Sequence, residues 1–428
     1  MSDIYGIKEE KEEKKQNTNN TKMKKFTLLL LMLLLLLIPT GFWYGIISDR
    51  ESYRDEAVRS ISSAWGRQQV FSTPQITFER PKNKTTETVE LLLNNYSADI
   101  KIATETRHKG IYKVPVYTAD VKFKGDFIND ACDLTGKTLT LGFNVSDSVG
   151  FTEEPIFKVN NGKSEISHDT KYSFKLDKNT KTIPFEISYK IRGLNELYVK
   201  VNGQSNKIHI SGNWANPSFI GNFLPTQRTI TKENFDATWN VPKIATTNIN
   251  NSYEKYNNTI DDAALLTSAN VGVSLLMPVD NYRMANRALK YAFLFIALTF
   301  VCYFIFEITS ANKKRIHPLQ YLLLGGAMLI FYLLLLSISE FLPFGFAYFI
   351  AALMTIGLIW AYTFFVITKR QNIQFSAIIT GLLAILYAFL YTLLQLQDLA
   401  LLLGSIGLFA IIALIMYTTR NVEWYDEN

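Results

Sequence analysis

From Leu289 to Thr418 the chain is almost continuously apolar, and this run limits the possible folds more than any motif does. A helix needs about 20 apolar residues to cross the roughly 30 Å hydrocarbon core of a bilayer. Five such stretches fit, at residues 288–308, 319–339, 346–368, 375–394 and 399–418. A sixth lies far upstream, where residues 26–47 are uncharged and follow Lys22, Lys24 and Lys25. Between them, residues 48–287 are polar and rich in turn formers. The average composition, 48% hydrophobic and 19% charged over 428 residues, hides this division and resembles an ordinary soluble protein. The division itself excludes both a purely soluble enzyme and a pure membrane bundle.

Residues 1–25 are charged and Asn-rich without apolar periodicity, which predicts a disordered tail. For residues 26–47 the rival reading is a cleaved signal peptide. Apolar and aromatic residues continue past Pro39 through Phe42, Trp43, Tyr44, Ile46 and Ile47, with no small-x-small cleavage site, so a retained anchor is expected. With the N-terminus inside, the short inner segments carry thirteen Lys and Arg, among them Lys313, Lys314, Arg315, Lys369, Arg370 and Arg420. The short outer loops 340–345 and 395–398 carry none. Positive charge stays on the cytoplasmic side, so both termini are expected there and residues 48–287 outside.

The expected domains are a tail (1–25), a first span (26–47), a β-rich periplasmic domain (48–287), a five-helix membrane region (288–418) and a second tail (419–428). The outer segment holds 30 Lys and Arg against 27 Asp and Glu, so it is nearly balanced. It opens on a charged helical stretch, 49–63, and after Pro74 the hydrophobic period changes to two. Leu139, Leu141, Phe143 and Val145 alternate with polar residues, as do Phe185, Ile187, Tyr189 and Ile191, and Phe235, Ala237 and Trp239. Alternation means one packed and one wetted face, hence antiparallel sheets. The fold class is a six-span α-helical membrane bundle with an inserted all-β, sandwich-like domain.

Motifs for chemistry are few. Residues 131–138 fit a loose phosphate-loop pattern, but a strand follows Gly136-Lys137 where a helix is required, so a turn and a strand are expected. His108, His168 and His209 show no metal-ligand spacing, and Cys132 has no base nearby in sequence. A net charge of +6, without a basic stripe, excludes a nucleic-acid binder. The two cysteines lie in different halves and make no disulfide framework. No catalytic, metal or cofactor residue is assigned, and no cofactor is expected.

Two groups of residues stand out as structural or functional candidates. Glu307, His317, Glu340 and Asp398 fall at span ends rather than at the midplane, where an ion pathway would place them. Two of these, Glu307 and His317, are expected to form a polar cluster with Gln320 across the 313–315 loop. The second group is the uncharged run 213–225, which holds Trp214, Pro217, Phe219, Gly221, Phe223 and Pro225. A surface loop would be polar, so this run should be covered, either as a plug of the β domain or against the outer ends of the spans.

Several stretches together resemble the CreD-type inner-membrane proteins of the bacterial cell envelope. They include Glu51-Ser-Tyr53-Arg54, Gly66-Arg-Gln68-Gln69, Gly110-Ile111-Tyr112, and residues 213–225. In the membrane half they include Lys290-Tyr291-Ala292, Phe306-Glu307, His317-Pro318-Leu-Gln320-Tyr321, Ser339-Glu340, Thr419-Arg420-Asn421 and Trp424-Tyr425. Residues 1–21 are extra, and the apolar Gly-Pro stretch expected after Gln69 is reduced to Phe71-Ser-Thr-Pro74. The resemblance implies a multi-pass inner-membrane protein linked to envelope integrity or stress response, and it brings no catalytic residues. A non-enzymatic role is therefore expected, through contact of the periplasmic domain with another envelope component. The expected partners are the bilayer and that component, with no nucleic acid. The alternatives are a transporter or lipid-handling permease, which needs a polar cavity among the spans, and a membrane-bound enzyme, which needs clustered periplasmic carboxylates or histidines.

Overall fold

The computed structural model describes residues 24–25, 27–82, 85–130, 133–178, 180–254, 269–275, 281–309, 316–370, 373–396 and 399–420. The N-terminal tail through residue 23, Cys132, the 313–315 loop, Asp398 and Trp424–Tyr425 lie outside them. The chain divides into two compact units, one of Met1–Tyr53 with Val279–Asn428 and the other of Arg54–Pro278. Helix α1, Thr27–Trp65, contributes residues to both.

The second unit is built of strands β1 (Gln69–Phe71), β2 (Gln75–Lys82), β3 (Thr85–Glu90), β4 (Leu92–Lys109), β5 (Tyr112–Ile128), β6 (Thr138–Gly142), β7 (Ile156–Val159) and β8 (Glu165–Ile166). It continues with β9 (Lys171–Lys175), β10 (Thr182–Leu194), β11 (Glu196–Lys200), β12 (Ser205–Gly212), β13 (Pro217–Gly221), β14 (Gln227–Ile230) and β15 (Phe235–Pro242). Helix α2 (Lys243–Glu254) and strand β16 (Asn270–Leu275) complete it. Among the described residues these strands form one eight-stranded sheet, β14-β15-β12-β4-β5-β10-β7-β8. Two four-stranded sheets accompany it, β1-β11-β16-β13 and β3-β2-β6-β9.

Period-two sequence dictates these strands. In β10, Ile183, Phe185, Ile187, Tyr189 and Ile191 are buried while the residues between them are half-exposed. Apolar side chains from all three sheets meet in one core. At its centre Phe143 stacks on Tyr189 with ring centroids 4.7 Å apart, and Phe123 meets Phe71 and Tyr189 edge-on at 6.2 and 5.8 Å. Each fully buried ring of this kind stabilises the unit by roughly 1.5–3 kcal/mol. Most neighbours are antiparallel, as expected, but β1–β11 and β4–β12 run parallel. Alternation reports which face is buried and is silent on strand direction. At residues 133–138 the backbone N–H and hydroxyl of Thr135 both donate to Asp133 Oδ1 at 2.9 and 2.7 Å, Gly136 sits at φ +69, and β6 follows. A side-chain-bonded turn leading into a strand offers no helix N-terminus for a phosphate.

The first unit contains α3 (Asn281–Lys290), α4 (Ala292–Thr309), α5 (Pro318–Ser339), α6 (Phe344–Tyr362), α7 (Ile373–Gln395) and α8 (Ala400–Thr419). A π-helical turn, Thr363–Ile367, extends α6. Among the described residues α1, α5, α6 with its extension, and α7 are long and apolar enough to cross a membrane. The bent pair α3–α4 makes a fifth if it is counted as one span, and α8 is a further apolar helix of 20 residues. The span expected at 288–308 coincides with α4 and the last turn of α3, which meet at Tyr291 with a bend of 42°. Sequence explains the break. Helix α3 buries Tyr282, Ala285, Ala288 and Leu289 on one face and carries Arg283, Arg287 and Lys290, whereas α4 carries a single charge, Glu307, near its end. At the break Tyr291 N–H bonds the Ala288 carbonyl three residues back at 3.1 Å, the tightened turn typical of a helix end.

Candidate functional site

Polar side chains fasten the first unit's helices beside the start of α1 and again near its middle. At the start, Lys25 pairs with Glu307 near the end of α4 and donates to the Ile316 carbonyl at 2.6 Å. Tyr321 on α5 donates its hydroxyl to Glu307 Oε2 at 3.2 Å, and the Lys25 ammonium stands 5.8 Å from the centre of that tyrosine ring. Twenty-five residues of helix later, about 37 Å, Arg50 Nε lies 3.4 Å from Glu340 Oε1 just past α5. The Tyr282 hydroxyl shares the same oxygen at 3.4 Å. The Arg287 guanidinium donates to the Leu393 and Leu394 carbonyls at 3.2 and 3.4 Å, so a cation closes the negative end of α7.

The polar cluster expected of Glu307, His317 and Gln320 divides into two. His317 is the N-cap of α5: it accepts the Leu319 N–H on Nδ1 at 3.3 Å, while Gln320 Oε1 accepts the His317 N–H at 2.9 Å. This capping box serves a helix start whose Pro318 has no N–H to satisfy. The bonds of Glu307 run to Lys25 and Tyr321 instead. In sequence Lys25 reads only as a flanking charge, and nothing in the spacing pairs it with a residue 282 positions away.

In the second unit the run 213–225, expected to be covered, is so only in part: Trp214, Phe219 and Phe223 are half-buried against the core, while Asn213, Ala215, Asn216, Gly221, Asn222 and Leu224 are exposed. Pro217 opens β13, the edge strand beside β16, where a missing N–H costs no ladder bond. Phe219 meets Phe235 and Trp239 edge-on at 6.4 and 5.7 Å. Trp239 Nε1 donates to the Phe223 carbonyl at 3.0 Å, and Trp214 Nε1 to the Asn216 carbonyl at 3.2 Å. Gly221 sits at φ +102, where a β-carbon would lie 2.7 Å from the Asn270 carbonyl oxygen. Pro225 falls between this strand and β14.

The wetted face of the eight-stranded sheet holds rows of paired charge that the sequence does not announce. His209 on β12 bridges its neighbours, with Nδ1 2.8 Å from Asp99 on β4 and Nε2 2.8 Å from Asp236 on β15. Burial works against the charged ring, but the bonds to the two carboxylates outweigh it and raise the His209 pKa above 6.5. Asp99 stands in register with Lys122 on β5, whose ammonium reaches Glu186 on β10 at 3.0 Å. One row over, Lys190 lies between Asp120 and Glu153 at 3.5 and 3.0 Å. The two carboxylates at His209 sit on opposite edges of the ring, an arrangement that clasps strands and does not converge on a metal ion. Among the described residues no group of three His, Cys, Asp or Glu side chains is placed to hold one.

The sequence pattern of the family described as "Inner membrane protein CreD" matches residues 21–425. A curated relative, "Inner membrane protein CreD" of Escherichia coli (strain K12), is 30% identical over 408 residues, which cover 89% of this chain and 88% of that one. Among solved structures, a nutrient-binding candidate from Legionella pneumophila shares 11% identity at a TM-score of 0.29, over 58% of this chain and 88% of that one. A likeness at that level carries no argument about fold or function.

Proposed function

Because the chain belongs to the CreD family of inner membrane proteins, we propose that it supports cell-envelope integrity by non-enzymatic contacts of its β-rich unit. In this reading α1, the bent pair α3–α4, α5, α6, α7 and α8 make six spans, both termini are cytoplasmic, and the β-rich unit is a sandwich-like periplasmic domain. The count of thirteen positive charges against none supports the orientation.

The observation that carries the non-enzymatic reading is the use made of ionisable groups. Asp99, His209 and Asp236, Lys122 and Glu186, and Asp120 and Lys190 pair across neighbouring strands, and Lys190 also pairs with Glu153 of the loop before β7. A catalytic carboxylate or imidazole needs a bonding site left for substrate, and these are engaged in holding strands together. The test is complementation. Cells lacking the gene should become sensitive to bile salts and to lysozyme with EDTA, and the full chain should restore resistance. The chain with Arg67–Leu275 replaced by a flexible linker should be inserted and not restore it. Full resistance from that variant would overturn the reading.

A further inference from the structure

The wetted face of the β3-β2-β6-β9 sheet is a groove of about 1040 Å³ with a polar lining. The opposite face of the same strands carries Ile76, Phe78, Leu139 and Leu141 in the core, so the groove has a rigid floor. Register aligns the lining. Thr77, Thr140 and Ser173 face one another across three strands, with the last two hydroxyls 3.2 Å apart. The next row is Gln75, Gly142 and Lys171. The missing β-carbon of Gly142 lets the Lys171 stem lie across that row, since a β-carbon would meet Lys171 Cγ at 3.2 Å. Four strands at the usual spacing give a groove roughly 14 Å across.

We propose that this groove binds a neutral, hydroxyl-rich saccharide strand of the cell envelope, an inference that rests on the periplasmic reading above. Charge argues for neutrality. The charged side chains of the lining are Lys137 and Lys171 against Glu79 and Asp169, so the groove has no net field to select a polyanion or a polycation. Donor chemistry argues for hydroxyls. A sugar hydroxyl is one donor and two acceptors, and the lining offers the same mixture from hydroxyl, amide, ammonium and carboxylate groups. Backbone argues against a peptide added as a strand. The groove is a sheet face, and β2 and β6 at its centre are paired on both sides. Each bond to the sugar replaces a bond to water, so affinity is weak, with Kd on the order of 1 mM.

The test uses the full chain in lipid nanodiscs with the tetramer of N-acetylglucosamine as probe, followed by hydrogen exchange. At about 10 mM probe, well above that Kd, exchange should slow over Gln75–Lys82 and Thr138–Gly142. Thr77→Val with Thr140→Val keeps the β-branched shape, so melting should be unchanged while Kd rises about fivefold or more. Lys171→Ala is the second variant should the first not fold. Absence of protection, protection insensitive to every folded variant, or stronger protection by a heparin tetrasaccharide overturns the proposal. Failure here is distinct from failure of the function above: absence of protection in a full chain that still restores resistance would dismiss the saccharide and leave the envelope role standing.

Discussion

Arg50 and Glu340 meet at 3.4 Å across 290 residues of sequence, and the carboxylate is 8% exposed while the guanidinium is 44% exposed. Beside the start of the same helix Lys25 and Glu307 are 18% and 10% exposed and Lys25 also donates to the Ile316 carbonyl, while each carboxylate accepts one tyrosine hydroxyl, Tyr321 at Glu307 and Tyr282 at Glu340. The two pairs differ in the cation, which is 18% exposed at Lys25 and 44% at Arg50, so the Lys25 end is the less screened pair. Glu307→Gln should cost about 1–3 kcal/mol, as expected for a hydrogen-bonded charge left unpaired, and Arg50→Gln about 1 kcal/mol or less. Melting temperatures of the full chain in one detergent give the ranking, and an equal or reversed order would show that the Lys25 end is not the tighter fastening.

Because Glu307 and His317 belong to separate bond networks, their substitutions should add. Glu307→Gln and His317→Ala together should cost the sum of the singles within about 0.5 kcal/mol. His317→Ala alone should cost about 0.5–2 kcal/mol through the lost cap. Lys25→Met with Glu307→Gln should fall short of its sum. A double-mutant cycle on thermal unfolding decides, and strong coupling between Glu307 and His317 would contradict the geometry.

Gly193 leaves no room for a side chain, since a β-carbon would stand 2.3 Å from the hydroxyl oxygen of Tyr117. That tyrosine is fully buried and donates to the Glu196 carbonyl at 2.9 Å, so it cannot swing aside without losing its partner. Gly193→Ala should destabilise the β-rich unit by about 1–3 kcal/mol, and Gly193→Ala with Tyr117→Phe should recover part of it. A neutral Gly193→Ala in denaturant unfolding would show that the strand yields.

The long apolar helices and the buried face of strands such as β10 are legible because they are written in local pattern. The run 319–339 is simply long and apolar, and β10 alternates over its whole length. What the sequence conceals depends on partners far along the chain. Strand β12 lies parallel to β4, and His209 meets Asp99 across 110 positions, a pairing no local period encodes. Pro217 argues against a central strand and is silent about an edge, which is where β13 lies. The break at Tyr291 was hidden because polar α3 and apolar α4 join without a Pro or Gly between them.

His209 gives the β-rich unit a pH dependence of known sign. Its folded pKa is raised above 6.5 by Asp99 and Asp236 against the opposing effect of burial. A raised pKa means stabilisation that is complete below the unfolded value of about 6.5 and is lost as pH rises through the folded value. The group is a third exposed, so the effect is discounted to less than about 1 kcal/mol. The denaturation midpoint should fall between pH 6 and pH 8.5 in the parent chain and fall less in His209→Asn, where equal slopes would remove the clasp from the account.

The account turns on a β-rich unit held outside the cytoplasmic membrane by helices whose two chain ends remain inside. Reporters test this most directly, with one inserted in the turn at Asn160–Asn161, both residues being in left-handed backbone conformation, and one fused after Asn428. Alkaline phosphatase should be active at the first position and inactive at the second, and a fluorescent protein that folds only in the cytoplasm should show the reverse. Active phosphatase after Asn428, or inactive phosphatase at Asn160, would contradict the account.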